Sequence, residues 1–353
     1  MAISIKISKT PQSRIHLCDF ENIEFGKIFS DHMFRVDYVD GTWQNAEILP
    51  YGPISIAPSL SAIHYGQAIF EGMKAFKDSD GNPMLFRPAD NAKRMNVSAR
   101  RMGMPEIPEE LFLDGLKQLV QTDKDWIPTK DGSALYLRPF MFATDDFVGV
   151  RPSVNYSFII FCCPVNSYYP KPIKVKVEQK YVRASDGMAG FAKAAGNYGI
   201  SMLPAIEAKK LGYDQIIWTD GKTHNHVEES GTTNLFFVVD DKTILTPSLD
   251  GNILEGITRD SCLKILAKEG YKIEERKISI DEVITYAKNG RLTDCFGTGT
   301  AAIIAKIAAI GFDGIDYELP AAETRKVSNE LYAQIYGIQT GKVADDFGWT
   351  VKL

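Results

Sequence analysis

The chain is short of cysteine, of net charge and of long apolar runs, and each shortage argues against a class of protein. Its five cysteines, Cys18, Cys162, Cys163, Cys262 and Cys295, are odd in number and nowhere spaced C-x-x-C. Neither a redox pair nor a zinc site is supported, and no metal is expected. Cys162 and Cys163 sit in the apolar run YSFIIFCCPV, on opposite faces if that run is a strand. They read as buried, reduced thiols of a cytoplasmic protein. Net charge is −5, with no basic stripe, so no nucleic-acid partner is expected. The longest apolar stretch, AAIIAKIAAIGF (301–312), is interrupted by Lys306 and is shorter than the roughly 18 residues a membrane helix needs. The opening MAISIKISKTPQ shows no apolar core of a secretory signal.

What is present is ordinary for a soluble globular protein: 44% hydrophobic and 24% charged residues. A length of 353 residues suggests two domains. The best boundary is PVNSYYPKPIK (164–174), whose prolines make a stiff, extended linker. The expected division is 1–165, a linker at 166–173, and 174–353. Before it, VDYVDGTWQNAEI reads as a hairpin around Asp40-Gly41, and MKAFKDSDGNPMLFR as another near Asp80-Gly81-Asn82. PADNAKRMNVSARRMG reads as a helix with Pro88 at its start and Gly103 as its stop. EELFLDGLKQLVQTDKDWI reads as one helix, and SALYLRPFMF and VNYSFIIFCC as strands. After it come a strand (IKVKVEQKYVR), a helix ending at Gly212, four strands over 213–247, helices at 257–271 and 280–290, and a strand entering a glycine loop. Antiparallel hairpins, rather than regular βαβ alternation, make this an α+β chain.

Five stretches carry candidate chemistry. In FAKAAGNYG (191–199), Lys193 stands among small apolar residues. Alone it reads as a lysine with a packed stem and a solvated head. In apolar surroundings its amine becomes easier to deprotonate, and lysine amines form Schiff bases with carbonyls, including that of pyridoxal 5′-phosphate (PLP). Gly256 bends the chain into the helix at 257, which would aim the N–H groups of Ile257 and Thr258 at an anion; an ordinary capped helix is the commoner reading. In CFGTGTAAI (295–303), Gly297-x-Gly299-x-x-Ala302 matches a loose dinucleotide fingerprint if an apolar helix follows. A nicotinamide oxidoreductase is therefore the rival from another class, weakened because only about 50 residues remain for the βαβ units it needs. HNHVEESGTTN (224–234) holds His224 and His226 without a third ligand. It also holds adjacent Glu228 and Glu229, one of which could be buried against a cation such as a protonated pyridine nitrogen. In the first half, Arg94, Arg138, Phe25, Tyr65, Phe70 and Tyr136 could each be core or surface. HYGQAIFEGMKAF (64–76) has too many polar interruptions for a simple core strand.

Eight blocks together resemble the branched-chain amino acid aminotransferases, PLP enzymes of fold type IV. They are FGKIFSDHMF, HYGQAIFEGMKAF, LFRPADNAKRM, LYLRPF, KAAGNYG, VEESGTTNLFFV, ILEGITRDS and FGTGTAA, in the family's order and covering nearly the whole chain. The resemblance implies a small N-terminal α/β domain, a larger C-terminal domain with a β-barrel-like core, and a homodimer. It implies ping-pong transfer of the amino group of leucine, isoleucine or valine to 2-oxoglutarate, giving glutamate. Lys193 would be the Schiff-base and proton-shuttling lysine, Tyr198 would bond the PLP phenolic oxygen, and Glu229 rather than Glu228 would pair with the pyridine nitrogen. Arg94, Ile257, Thr258 and Thr300 would hold the phosphate. Phe25, Tyr65, Phe70, Tyr136 and Thr232 would line the side-chain pocket, Arg138 would take the distal carboxylate of glutamate, Tyr168 would close over the substrate, and Thr300 and Ala301 would meet its α-carboxylate. The C-x-x-C pair some members carry is replaced here by Ala302 and Ala305, so no thiol switch is expected there. The near rivals of the same fold type, D-amino acid aminotransferase and aminodeoxychorismate lyase, would share Lys193 and Glu229 but not the whole aromatic and Tyr136-x-Arg138 set. A non-catalytic scaffold would have no reason to keep Lys193, Glu229 and Arg94.

Overall fold

The structure, a computed structural model, describes residues 3–169 and 171–353, so Pro170 of the expected linker lies outside the described residues. The chain divides into two compact units. One gathers Met1–Tyr168, Ala192–Gly196 and Gly337–Leu353; the other gathers Tyr169–Phe191 and Asn197–Tyr336. The first crossing falls between Tyr168 and Tyr169. Two later segments that the sequence division put with 174–353, one of them carrying Lys193, belong to the first unit. Backbone pairing is the reason. Phe70 N–H donates to Lys193 O (3.1 Å), Ala195 N–H donates to Ala68 O (3.0 Å), and Thr350–Lys352 pairs antiparallel with Pro83–Phe86.

Among the described residues the first unit holds a nine-stranded sheet. Its order is Lys6–Ile7, Thr42–Pro50, His32–Val39, Tyr156–Val165, Ala134–Ala143, Met73–Lys77, Pro83–Phe86, Thr350–Lys352, with Ala68–Phe70 also paired to Ala134–Ala143. Asp40 and Gly41 both have positive φ (51° and 78°) and join two strands in the two-residue hairpin expected there. Alternate strand residues Phe34 and Val36, Leu135 and Leu137, and Phe158 and Ile160 share a core with Ala92, Met95, Ala99, Leu116 and Leu119 of the helices Pro88–Arg101 and Glu109–Thr122. Each large side chain so buried contributes about 1.5–3 kcal/mol. The second helix stops at Thr122, short of the expected Ile127, and a 3₁₀ turn follows over Lys124–Trp126. Asp123 explains the break: its buried carboxylate accepts from the His32 backbone N–H (3.0 Å) and meets His32 Nδ1 (2.6 Å).

The second unit is built on a closed six-stranded barrel. Round the ring run Gln215–Thr219, Ile173–Val177, Ile303–Phe312, Leu292–Gly299, Thr233–Val239 and Val227–Ser230, which pairs back onto Gln215–Thr219. The closed sheet confirms the barrel-like core that the resemblance implies. Thr243–Pro247 and Lys272–Arg276 extend it from Thr233–Val239, and Ile315–Glu318 pairs with Ile303–Phe312. One expectation is corrected here. Residues 303–312 form a strand antiparallel to Leu292–Gly299, not a helix. Strand, loop and strand cannot make the strand–loop–helix of a dinucleotide site. Gly297 is small for another reason: a Cβ there would run into the Thr233 side chain.

Candidate active site

The first unit builds its site on one helix face. On Pro88–Arg101, Asn91, Arg94 and Ser98 fall at i, i+3 and i+7, the spacing that stacks side chains along one stripe. Arg94 Nε donates to Glu71 Oε1 and its Nη2 to Oε2, both at 2.8 Å, a side-on bidentate pair. Asn91 Nδ2 adds a third bond to Glu71 Oε2 (2.8 Å). Ser98 Oγ accepts the backbone N–H of Lys193 (2.9 Å). Glu71 is fully buried. Burial alone would raise its carboxyl, but the charges of Arg94 and Lys193 and the bonds from Arg94 and Asn91 outweigh that and hold it below the usual glutamate range.

Lys193 is half-buried, and its Nζ lies 4.6 Å from the centre of the Phe70 ring. The Arg138 guanidinium lies 4.7 Å from the same ring and donates to Tyr136 Oη (2.9 Å). Tyr136 packs edge-on against Phe25, and Phe25 against Tyr168, with centroids 5.2 Å apart in each pair. Tyr168, Phe25, Tyr136, Arg138, Phe70, Lys193 and Arg94 thus form one connected set, joined at its end through Glu71. Tyr65 is the exception among the expected first-unit residues. It ends the short helix Ser61–Tyr65, is 41% exposed, and has His64 as its ring neighbour.

The second unit carries Tyr198, Glu229, Thr232, Ile257, Thr258, Thr300 and Ala301. Glu229 lies on Val227–Ser230, the strand that closes the barrel. Its Oε1 accepts the Leu254 N–H (2.7 Å), and its Oε2 lies 3.3 Å from Arg183 Nε. Glu228 is buried as deeply, although adjacent strand residues face opposite ways and one buried glutamate was expected. It takes a bond from Asn252 Nδ2 (3.2 Å), and burial pushes its carboxyl up to about 7 against the pull of Arg183 and Asn252. Thr232 is exposed at the tip of a two-residue hairpin, since Ser230 pairs with Thr233. The helix Ile257–Lys268 begins at Gly256 with no side-chain cap; a Cβ at Gly256 would run into Asn234. Thr300 and Ala301 lie in the turn joining Gly299 to Ile303, where the buried, β-branched Ile303 holds a φ of +62°. Such a residue in the left-handed region is an outlier, and backbone strain of this kind gathers at functional loops. Tyr198 sits in the single helical turn Gly196–Gly199. His224 and His226 bring no third ligand: no group of metal-binding residues occurs among the described residues.

Each unit carries donors of the kinds that PLP takes. The first has an amine for an aldehyde and a guanidinium for a phosphate; the second has a helix N-terminus for a phosphate and a buried carboxylate for a ring N–H. Glu71, Asn91 and Arg183 are the groups the sequence did not single out. The signal for Glu71 was a carboxylate in a stretch too polar for a simple core strand; for Asn91, its three-residue spacing from Arg94.

Comparison with known proteins supplies the family. The model of the class IV amino-transferases matches residues 68–310. Branched-chain-amino-acid transaminase 1 of Bacillus subtilis (strain 168) is 44% identical over 340 residues, covering 95% of each chain. A probable branched-chain-amino-acid aminotransferase of Staphylococcus epidermidis is 45% identical over 340 residues, covering 95% of this chain and 94% of that one. Among solved structures, the Escherichia coli branched-chain amino acid aminotransferase superposes with a TM-score of 0.73 at 25% identity, covering 91% of this chain and 98% of that one. A second branched-chain amino acid aminotransferase, solved in complex with N-(5'-phosphopyridoxyl)-L-glutamate, gives a TM-score of 0.71 at 25% identity, covering 90% and 97%.

Proposed function

We propose, for a chain that belongs to the class IV amino-transferase family, a transaminase that moves the amino group of leucine, isoleucine or valine to 2-oxoglutarate using PLP. The observation that carries the reading of Arg94 and Lys193 is the buried Glu71 carboxylate, which takes the Arg94 fork and lies in the field of the Lys193 charge. When bound, PLP supplies an aldehyde for covalent capture of an amine and a ring that draws electrons from the substrate Cα.

The chain's own residues do the rest. Lys193 would hold the cofactor through its amine, and the same amine, when free, would be the base that takes the proton from the substrate Cα. Arg94, the N–H groups of Ile257 and Thr258, and Thr300 bind the phosphate. Glu229 accepts the ring N–H; its carboxylate also takes the Leu254 N–H and lies 3.3 Å from Arg183 Nε. Tyr198 bonds the phenolic oxygen. Phe25, Phe70, Tyr136 and Tyr168 exclude water from the substrate side chain, each buried methylene contributing about 0.8 kcal/mol. Ala301 and Thr300 bind the α-carboxylate. Arg138, oriented by Tyr136, takes the second carboxylate of glutamate. A cytoplasmic homodimer belongs to the same proposal, and light scattering of the purified protein tests its assembly.

The deciding experiment follows the absorbance of the purified enzyme. Leucine should remove the band of the bound cofactor, and 2-oxoglutarate should restore it. Lys193→Ala should slow the leucine half-reaction by on the order of 10³-fold. A wild-type protein that takes up no PLP, or a Lys193→Ala variant as fast as wild type, overturns the reading.

A further inference from the structure

Three consecutive residues, Phe70, Glu71 and Gly72, each make a different contact with the candidate site. Phe70 offers its ring to Lys193 and Arg138 at 4.6 and 4.7 Å. Glu71 receives two bonds from Arg94 and one from Asn91, all at 2.8 Å. Gly72 leaves room for the Tyr136 hydroxyl, which a Cβ would strike. Glu71 is the only one of the three whose place there needs explaining. A buried carboxylate beside a group meant for phosphate works against anion binding by its charge, and it is costly unless paired. A purely structural ion pair would not need to lie within the field of Lys193 as well as in the fork of Arg94. An arginine recognises phosphate by presenting a fixed planar fork, and a long side chain loses that advantage when its plane is free to turn. Bonds to Glu71 through both Nε and Nη2 fix the plane.

We propose that Glu71 is a positioning residue: its buried carboxylate orients the Arg94 guanidinium for the cofactor phosphate and supplies the countercharge that lets Arg94 and Lys193 share one small space. The proposal rests on the reading of Arg94 and Lys193 given above. It predicts an effect specific to phosphate. Without Glu71 the guanidinium loses its orientation, so a ligand with a phosphate suffers and the same aldehyde without one suffers much less.

The test uses the full chain stripped of cofactor and compares PLP with pyridoxal, which lacks the phosphate. Trapping reports binding through a balanced step: the Lys193 amine adds to the aldehyde carbon, water leaves, and borohydride delivers hydride to the resulting carbon–nitrogen double bond. Mass spectrometry of the fixed adduct over a concentration series gives an apparent affinity for each ligand. In Glu71→Gln the preference for PLP over pyridoxal should fall at least tenfold, and Glu71→Asp, which keeps the charge, should recover part of it. Equal losses for the two ligands, or no loss, overturn the proposal. Should Glu71→Gln fail to fold, Asn91→Ala, which loosens the same carboxylate, should lower the preference in the same direction; an unchanged preference there counts against it equally. Arg94→Ala separates the two levels. If it leaves the preference intact, the phosphate reading of Arg94 has failed. If it abolishes the preference while Glu71→Gln does not, only the positioning role has failed.

Discussion

Glu228 and Glu229 are neighbours on one strand under different electrostatics. Glu229 has an arginine at 3.3 Å and a backbone N–H at 2.7 Å, whereas Glu228 has one amide donor and a carboxyl pushed by burial to about 7. The folded state therefore keeps a proton on Glu228 that the unfolded chain releases above the ordinary glutamate range. Stability from this residue is greatest below that range, falls as the pH rises towards 7, and stays low beyond it. Glu228→Gln keeps an acceptor for Asn252 and has no proton to lose. Its stability relative to wild type should improve by about 2 kcal/mol between pH 4.5 and pH 8. Denaturant titrations at the two pH values measure this, and a difference that does not change with pH would refute it. Single residues differed in how far the sequence disclosed them. Lys193 drew notice from its small apolar neighbours, whereas Glu229 was set apart from Glu228 only by the family resemblance. Glu71 did not stand out, because its burial depends on Arg94 and Asn91 arriving from a helix about twenty residues later, a match made only in three dimensions.

At the scale of elements, local signals were readable where turn chemistry was explicit. The Asp40-Gly41 hairpin and the Pro88 helix start followed their residues. The stretch at 303–312 did not, because a run of alanine and isoleucine buried on both faces has no period to tell strand from helix. Its pairing with Leu292–Gly299 and Ile173–Val177 decided the matter. Gly72, between the strands Ala68–Phe70 and Met73–Lys77, shows how an element junction shapes chemistry. Gly72→Ala should displace the Tyr136 hydroxyl and, with it, the hydrogen bond from Arg138. Overpacking of this kind costs about 1–3 kcal/mol. The expected kinetic result is a KM for glutamate that rises several-fold more than the KM for leucine. Equal rises would show that Tyr136 and Arg138 do not act together on the second carboxylate.

On the scale of the whole molecule, the chain leaves each unit and returns, and this was the least legible feature. Composition places a linker at 166–173, where proline and tyrosine cluster. Nothing in composition marks Ala192–Gly196 or Gly337–Leu353 as belonging with the first unit; backbone pairing alone does so. The terminal segment anchors that unit through Trp349, which is buried, stacks on Phe347 at 4.1 Å, meets Phe86 at 5.6 Å and lies under the Arg87 guanidinium at 5.3 Å. Its carbonyl accepts the Arg87 N–H (2.7 Å). Trp349→Ala should lower stability by about 3–5 kcal/mol, seen in calorimetry as an earlier transition. An unchanged transition would mean that the terminal strand does not hold the sheet.

That same strand sets a timetable for the ribosome. Thr350–Lys352 pairs with Pro83–Phe86, a strand translated long before it. At about 5–20 residues per second, the partner strand waits roughly ten to fifty seconds with its edge open. An open edge is a template for pairing with other chains. The nascent protein therefore passes through synthesis with this edge exposed, and chaperones that shield such edges should matter more for its yield than for that of a protein whose sheet closes in the order it is made.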